Sequence, residues 1–190
     1  MCRALLVIDV QKAFEDKGWG ERNHPEAEEN IAQILECFRR KRDTVIYIQH
    51  VSTNSNSRFY IEKEGVEFKE VATPLAHEAV IQKKVNSAFI GTKLEDRLKE
   101  MNIEQVVIVG LTTPHCVSTT TRMSGNLGFD TTLIADATAA FELTDHKGIT
   151  YNADLVHNLT LATLHEKFAR VISTKDWLHE QGGKKGWRGS

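Results

Sequence analysis

The sequence predicts an open, doubly wound α/β domain on a mostly parallel sheet of about six strands. Three observations lead there. Short apolar, β-branched runs alternate with segments of helical spacing. The strands are separated by helices of about ten or more residues, which implies right-handed crossovers and parallel pairing. Leu5-Leu6-Val7-Ile8 is apolar without alternation, as a strand covered on both faces should be.

The elements follow in order. After the Leu5–Ile8 strand, residues 26–41 carry Ala27, Ile31, Ile34, Leu35 and Phe38 at helical spacing. Residues 44–50 (TVIYIQH) read as the second strand and 79–82 (AVIQ) as the third. Thr92-Lys93-Leu94-Glu95 has the pattern of a capping box, opening a helix with Leu94, Leu98 and Met101 on one face. Residues 105–110 form the fourth strand. A helix runs from Pro114 to about Leu127, with Gly128 as its stop. Residues 130–136 form the fifth strand, 152–167 a long helix, and Val171-Ile172 the sixth strand. The polar stretch 52–72 reads equally as an excursion over a site and as a solvated loop. One domain over 1–180 is expected, and the GGKKGWRGS end, within 181–190, is expected to be disordered.

The chain has 190 residues, 41% hydrophobic and 26% charged, with a net charge of −2. That balance gives no field to attract nucleic acid or an anionic membrane. No apolar run approaches the roughly 20 residues of a membrane span. The opening MCRALLVIDV lacks the tripartite pattern of a secretory signal, so a cytoplasmic protein is expected. Three widely spaced cysteines offer neither a disulfide framework nor a CxxC metal pattern. Cys37 reads as a buried helix residue and Cys2 as a surface one.

Cys116 is different. In VVIVGLTTPHCVSTTT, residues 106–121, it stands just past a strand end where a helix begins. Ligands of open α/β sheets bind beyond the carboxyl ends of the strands. A helix start favours a thiolate and offers N–H groups to an oxyanion. Position alone leaves two readings, a nucleophile or a small buried hydrophobe. Asp9 ends the first strand and Lys83 the third, so three functional side chains would meet at the carboxyl ends of three strands. A catalytic thiol in that company is expected to have a depressed pKa.

These residues resemble the isochorismatase-like cysteine hydrolases, the superfamily that includes the nicotinamidases. Three blocks carry the likeness: LLVIDVQKAF, VIQKKVNSAFIGTKLEDRL, and VVIVGLTTPHCVSTTTRMSGNLGFDTTLIADAT. The resemblance implies a Rossmann-like three-layer sandwich and a triad of Asp9, Lys83 and Cys116. Counting back from Phe89 selects Lys83 rather than Lys84. Asp9 would take the thiol proton and later activate water, Lys83 would stabilise the ion pair, and Cys116 would attack a carbonyl or carbamoyl carbon. It also implies a cis peptide at Leu111–Thr112, aiming the Thr112 N–H, beside that of Cys116, at an oxyanion. Gln11, Phe14, Asn86 and His115 are the expected substrate contacts. Trp19 is placed at the mouth or a subunit contact, and Asp136 is taken as structural.

The departures from the family pattern also inform. Nicotinamidases carry an Asp-x-His metal motif after the second strand, whereas this chain reads YIQHVSTNSNSRF. His50 stands without the aspartate, so no metal and no other cofactor are expected, and His50 reads as a hydrogen-bonded structural residue. Isochorismate-cleaving members generally lack the cysteine. The favoured reading is a hydrolase of a small amide, ureido, carbamoyl or lactam C–N bond through a thioester. A nicotinamidase, and a catalytically idle ligand-binding or redox-sensing protein, are the alternatives. The resemblance also implies a homo-oligomer, a dimer or tetramer.

Overall fold

The structure, a computed structural model, describes residues 2–182. Six strands form one sheet: β1 (Cys2–Ile8), β2 (Thr44–His50), β3 (Ala79–Lys83), β4 (Ile103–Leu111), β5 (Asp130–Ala139) and, after a short antiparallel hairpin of β6 (Leu143–Thr144) and β7 (Thr150–Tyr151), β8 (Arg170–Ile172). All its pairings are parallel and the spatial order is β3-β2-β1-β4-β5-β8. The order reverses between β1 and β4. The crevice at their carboxyl ends is where such a sheet binds ligands.

The β1 run is buried on both sides. Leu5 and Val7 face one core, while Ala4, Leu6 and Ile8 face the other. Helix α1 (Ala27–Lys41) lays Ile31, Ile34, Leu35 and Phe38 on the first face, beside α5 (Thr174–Gly182), whose Trp177 stacks on Phe38 at 5.6 Å. Helices α2 (Leu94–Glu100), α3 (Ser118–Asn126) and α4 (Ala153–Leu164) serve the second face, through Leu94, Leu98, Met123 and Leu164. The result is an α/β three-layer fold. Burying side chains of this size is worth about 1.5–3 kcal/mol each.

Several expectations shift. The Thr92 capping box forms only in part: the Thr92 hydroxyl accepts from Leu94 N at 3.2 Å, but Glu95 bonds Lys99 at 2.5 Å instead of reaching back. The helix after Pro114 does not start as an α-helix. Residues Thr113–Val117 form a π turn before α3. The long helix ends at Leu164, three residues short of 167. Helix α5 was not anticipated, and it carries Gln181 and Gly182, the first two residues of the expected tail. The remainder of that tail, 183–190, lies outside the described residues. No helix among the described residues is long and apolar enough to cross a membrane.

Candidate active site

Asp9 follows β1 directly, at φ 49°, a left-handed conformation that costs a non-glycine residue about 1–2 kcal/mol. Its N–H bonds Ile48 O at 3.0 Å, which ties the bend to β2. Lys83 is the last residue of β3, and His50, the last of β2, is its partner in register. Parallel neighbours in register project to the same side of a sheet, so the two side chains lie together. Lys84, one residue on, is exposed.

The third strand end is built by Gly110. It sits at φ 124°, and a Cβ there would lie 2.0 Å from Ile8 O. Only glycine allows β4 to approach β1 this closely. The chain then passes a cis Leu111–Thr112 peptide and enters the π turn that carries Cys116. Thr113 within that turn is bonded through Oγ1 to Nδ1 of the buried His157 of α4, at 2.9 Å. His157 is a residue the sequence reading missed.

The three strand ends converge on one buried knot. Lys83 Nζ lies 2.7 Å from Asp9 Oδ2, 3.2 Å from Cys116 Sγ and 3.0 Å from His50 Nδ1. The Asp9 and Lys83 side chains are both 0% exposed, so neither ion has water to fall back on. The ammonium has three N–H donors and meets three acceptors. Asp9 Oδ1, by contrast, is buried without a hydrogen-bond partner. It is an acceptor in waiting beside a thiol.

The electrostatics differ from the expected depressed thiol pKa. Burial pushes the Cys116 thiol up to about 12; the Asp9 charge adds to this, and Lys83 opposes it. Burial likewise raises the Asp9 carboxyl, against the pull of Lys83. The helix-start argument failed because a dry pocket disfavours any thiolate and a carboxylate stands next to it. One ammonium can balance one anion. Burial thus works against both anions, and Lys83 Nζ stands between them.

The expected substrate contacts separate. Asn86 is exposed, with Oδ1 3.8 Å from Cys116 Sγ. His115 is exposed and its Nδ1 lies 3.1 Å from Thr112 Oγ1. Phe14 is buried in an aromatic group with Trp19 (5.3 Å), Phe59 (5.2 Å) and Phe141 (6.2 Å). Gln11 is not free to meet a ligand or Asp9. Its carboxamide donates to His50 O and Val66 O at 2.9 and 2.8 Å and accepts from His50 N at 2.9 Å. A buried amide surrounded by backbone groups satisfies them first. Asp136, as expected, is structural: it accepts from the N–H and hydroxyl of Thr174, both at 2.7 Å, at the start of α5.

The stretch 52–72 folds over this end of the sheet. Phe59 packs on Phe14 and on the His50 ring, at 5.0 Å, and Arg58 lies over Trp19, 4.7 Å from the ring centre. A cavity of about 230 Å³ opens there, walled by Trp19, Phe141, Pro114, Thr112, His115 and Arg58 among others. Trp19 thus stands at the mouth.

Asp9, His50 and Cys116 bring donor atoms within 4.8 Å of one another, a spacing that a metal ion accepts. Lys83 Nζ already bonds one atom of each, Asp9 Oδ2, His50 Nδ1 and Cys116 Sγ. A divalent ion on those atoms would have to displace a buried ammonium, and it would meet that positive charge at close range.

The comparisons with known proteins agree with this architecture. The sequence matches the isochorismatase domain family over residues 3–176, and the chain belongs to that family. It is 57% identical, over 94% of its length and 95% of the other, to YrdC, an isochorismatase family protein of Bacillus subtilis (strain 168). A crystal structure of a hydrolase of the family from Chromobacterium violaceum superposes with a TM-score of 0.92 at 40% identity, covering 95% of this chain and 94% of that one. At lower identity stand nicotinamidase 3 of Arabidopsis thaliana (25%, covering 89% of this chain and 83% of that one) and streptothricin hydrolase of Streptomyces noursei (28%, covering 77% and 58%).

Proposed function

We propose that this protein is a cysteine hydrolase that cleaves a C–N bond of a small amide, ureido, carbamoyl or lactam substrate. The carrying observation is the buried contact of Lys83 with both Asp9 and Cys116. A carboxylate with an unpaired oxygen, a thiol and an ammonium, all out of water, suit covalent catalysis. Cys116 Sγ attacks the carbonyl carbon as its proton passes to Asp9. The Thr112 and Cys116 N–H groups receive the oxyanion. The C–N bond breaks and Asp9 returns the proton to the departing nitrogen. Asp9 then deprotonates water, which attacks the thioester carbon, and the acid leaves as the thiol is restored. Lys83 keeps one positive charge beside one negative charge throughout.

The cavity accepts a small substrate, with the Trp19 and Phe141 rings as apolar walls and His115 as a polar contact, and Asn86 Oδ1 stands 3.8 Å from Cys116 Sγ. The names of the distant relatives, a nicotinamidase and a streptothricin hydrolase, point to the same bond class. Nicotinamide itself is disfavoured by the ammonium among the donors that a metal would need. The free Cys116 thiol suits the reducing cytoplasm, and a homo-oligomer remains part of the reading.

Ammonia or amine release from a panel of small amides, ureides and lactams tests the proposal, with wild type and Cys116→Ala side by side. Release that the variant loses supports it. A broad panel with no turnover would leave the idle binding or sensing reading.

A further inference from the structure

Lys83 is wholly enclosed, so each of its three N–H donors needs a protein acceptor. Two of the acceptors, Asp9 Oδ2 and Cys116 Sγ, belong to the proposed reaction. The third, His50 Nδ1, has no part in it. We propose that His50 is a positioning residue: its neutral ring, protonated on Nε2, takes the third Lys83 proton on Nδ1 and holds the ammonium in place while the sulfur passes from thiol to thioester. The inference rests on reading Cys116 as the nucleophile.

The ring is held on several sides. His50 and Lys83 are register partners, and Val51 N bonds Lys83 O at 2.9 Å, locking the two strand ends. Gln11 grips both the N–H and the carbonyl of His50. Phe59 packs on the ring at 5.0 Å. A doubly protonated ring has no lone pair and would set a second cation against Lys83, so only one tautomer fits. Burial, and then the Lys83 charge, hold the His50 pKa down to about 4.

The need arises during turnover. When Cys116 is a thioester, its sulfur is a poor acceptor and the ammonium retains Asp9 and His50. With an apolar residue at position 50 it would retain Asp9 alone and could follow that carboxylate away from the sulfur. The charged groups facing His50 in the knot are Asp9 from the end of β1 and Lys83 from β3, with the Cys116 thiol from the π turn.

The test is the second-order rate of Cys116 alkylation by iodoacetamide between pH 5 and 9. Peptide masses separate Cys116 from Cys2 and Cys37. Wild type is compared with His50→Leu and His50→Asn, the asparagine Oδ1 standing near the Nδ1 position. His50→Leu is expected to slow alkylation at pH 7.5 about tenfold and to move the profile up by about one pH unit, with His50→Asn returning to within about threefold. A leucine variant with wild-type rates, or an asparagine variant as slow as leucine, overturns the proposal. If His50→Leu does not fold, nitrogen NMR of the wild-type imidazole decides. An Nε2–H tautomer with a bare Nδ1 at pH 7 supports the proposal, and a proton on Nδ1 overturns it. C–N hydrolysis that survives Cys116→Ala sinks the nucleophile reading and this role with it. The NMR result still separates the two failures.

Discussion

The two ends of the sheet each hold an ion pair, one partly exposed at Arg39 and one fully enclosed, and they are built differently. At the amino ends of β2 and β3, Glu78 accepts from Arg39 Nε and Nη2 and from Leu75 N, all at 2.8 Å, and Arg39 also donates to Tyr47 OH and Thr73 O. Both Glu78 oxygens are satisfied. At the carboxyl ends, Lys83 and Asp9 are more deeply buried, and Asp9 Oδ1 has no partner. The larger of the two cavities, about 570 Å³, lies at the amino end and the smaller, about 230 Å³, near the buried knot. Cavity size does not mark the end proposed to be reactive. Strand polarity and an unsatisfied buried acceptor do, because chemistry needs an atom free to change partners.

The comparison can be broken most directly at Cys116. Cys116→Ala should lower C–N hydrolysis by at least about 10³-fold, judged against the losses seen when other covalent nucleophiles are removed, with little change in a urea melt. A variant that keeps its activity would remove the reactive end altogether. Next comes the pair itself. Lys83→Met should cost about 3–5 kcal/mol in urea unfolding, because it strands a buried carboxylate. Adding Asp9→Leu should return most of the stability and none of the activity.

The amino end should respond more mildly. Arg39→Met removes the two nitrogens, Nε and Nη2, that donate to Glu78 and Tyr47 and should cost about 1–3 kcal/mol. Hydrolysis and Cys116 alkylation should stay within about twofold of wild type; a larger loss would couple the two ends. The smallest effect is one of pH. His50 has its pKa lowered to about 4 in the fold, mainly by burial, from an ordinary 6.5. Between those values the unfolded chain binds the proton and the native one does not. Stability from this group is thus complete above about pH 6.5 and is lost as pH falls toward 4, by about 1–2 kcal/mol after screening at a half-buried ring. His50→Asn should flatten that slope in urea melts taken across the range.

The sequence by itself determined the layers and the chemistry-bearing positions. Period and composition are local signals, so the unbroken Leu5–Ile8 run, the Ile31-Leu35-Phe38 spacing and the glycine before the Cys116 elbow were all legible in it. So was the placing of Asp9, Lys83 and Cys116 at three strand ends, since strand polarity follows from the alternation of elements. Tertiary structure decided what those ends do. Only the register of β2 against β3 sets His50 beside Lys83. Only the folding of 52–72 across the mouth brings Phe59 and Arg58 to Phe14 and Trp19. Gln11 was expected at the ligand and instead serves the backbone of residues 50 and 66, because its neighbours come from loops far away in the chain. The thiol was expected to be acidic, and burial beside Asp9 pushes its pKa up instead. A pKa is a property of the solvent and charges around a group, and burial beside a carboxylate comes into being only when the strands assemble.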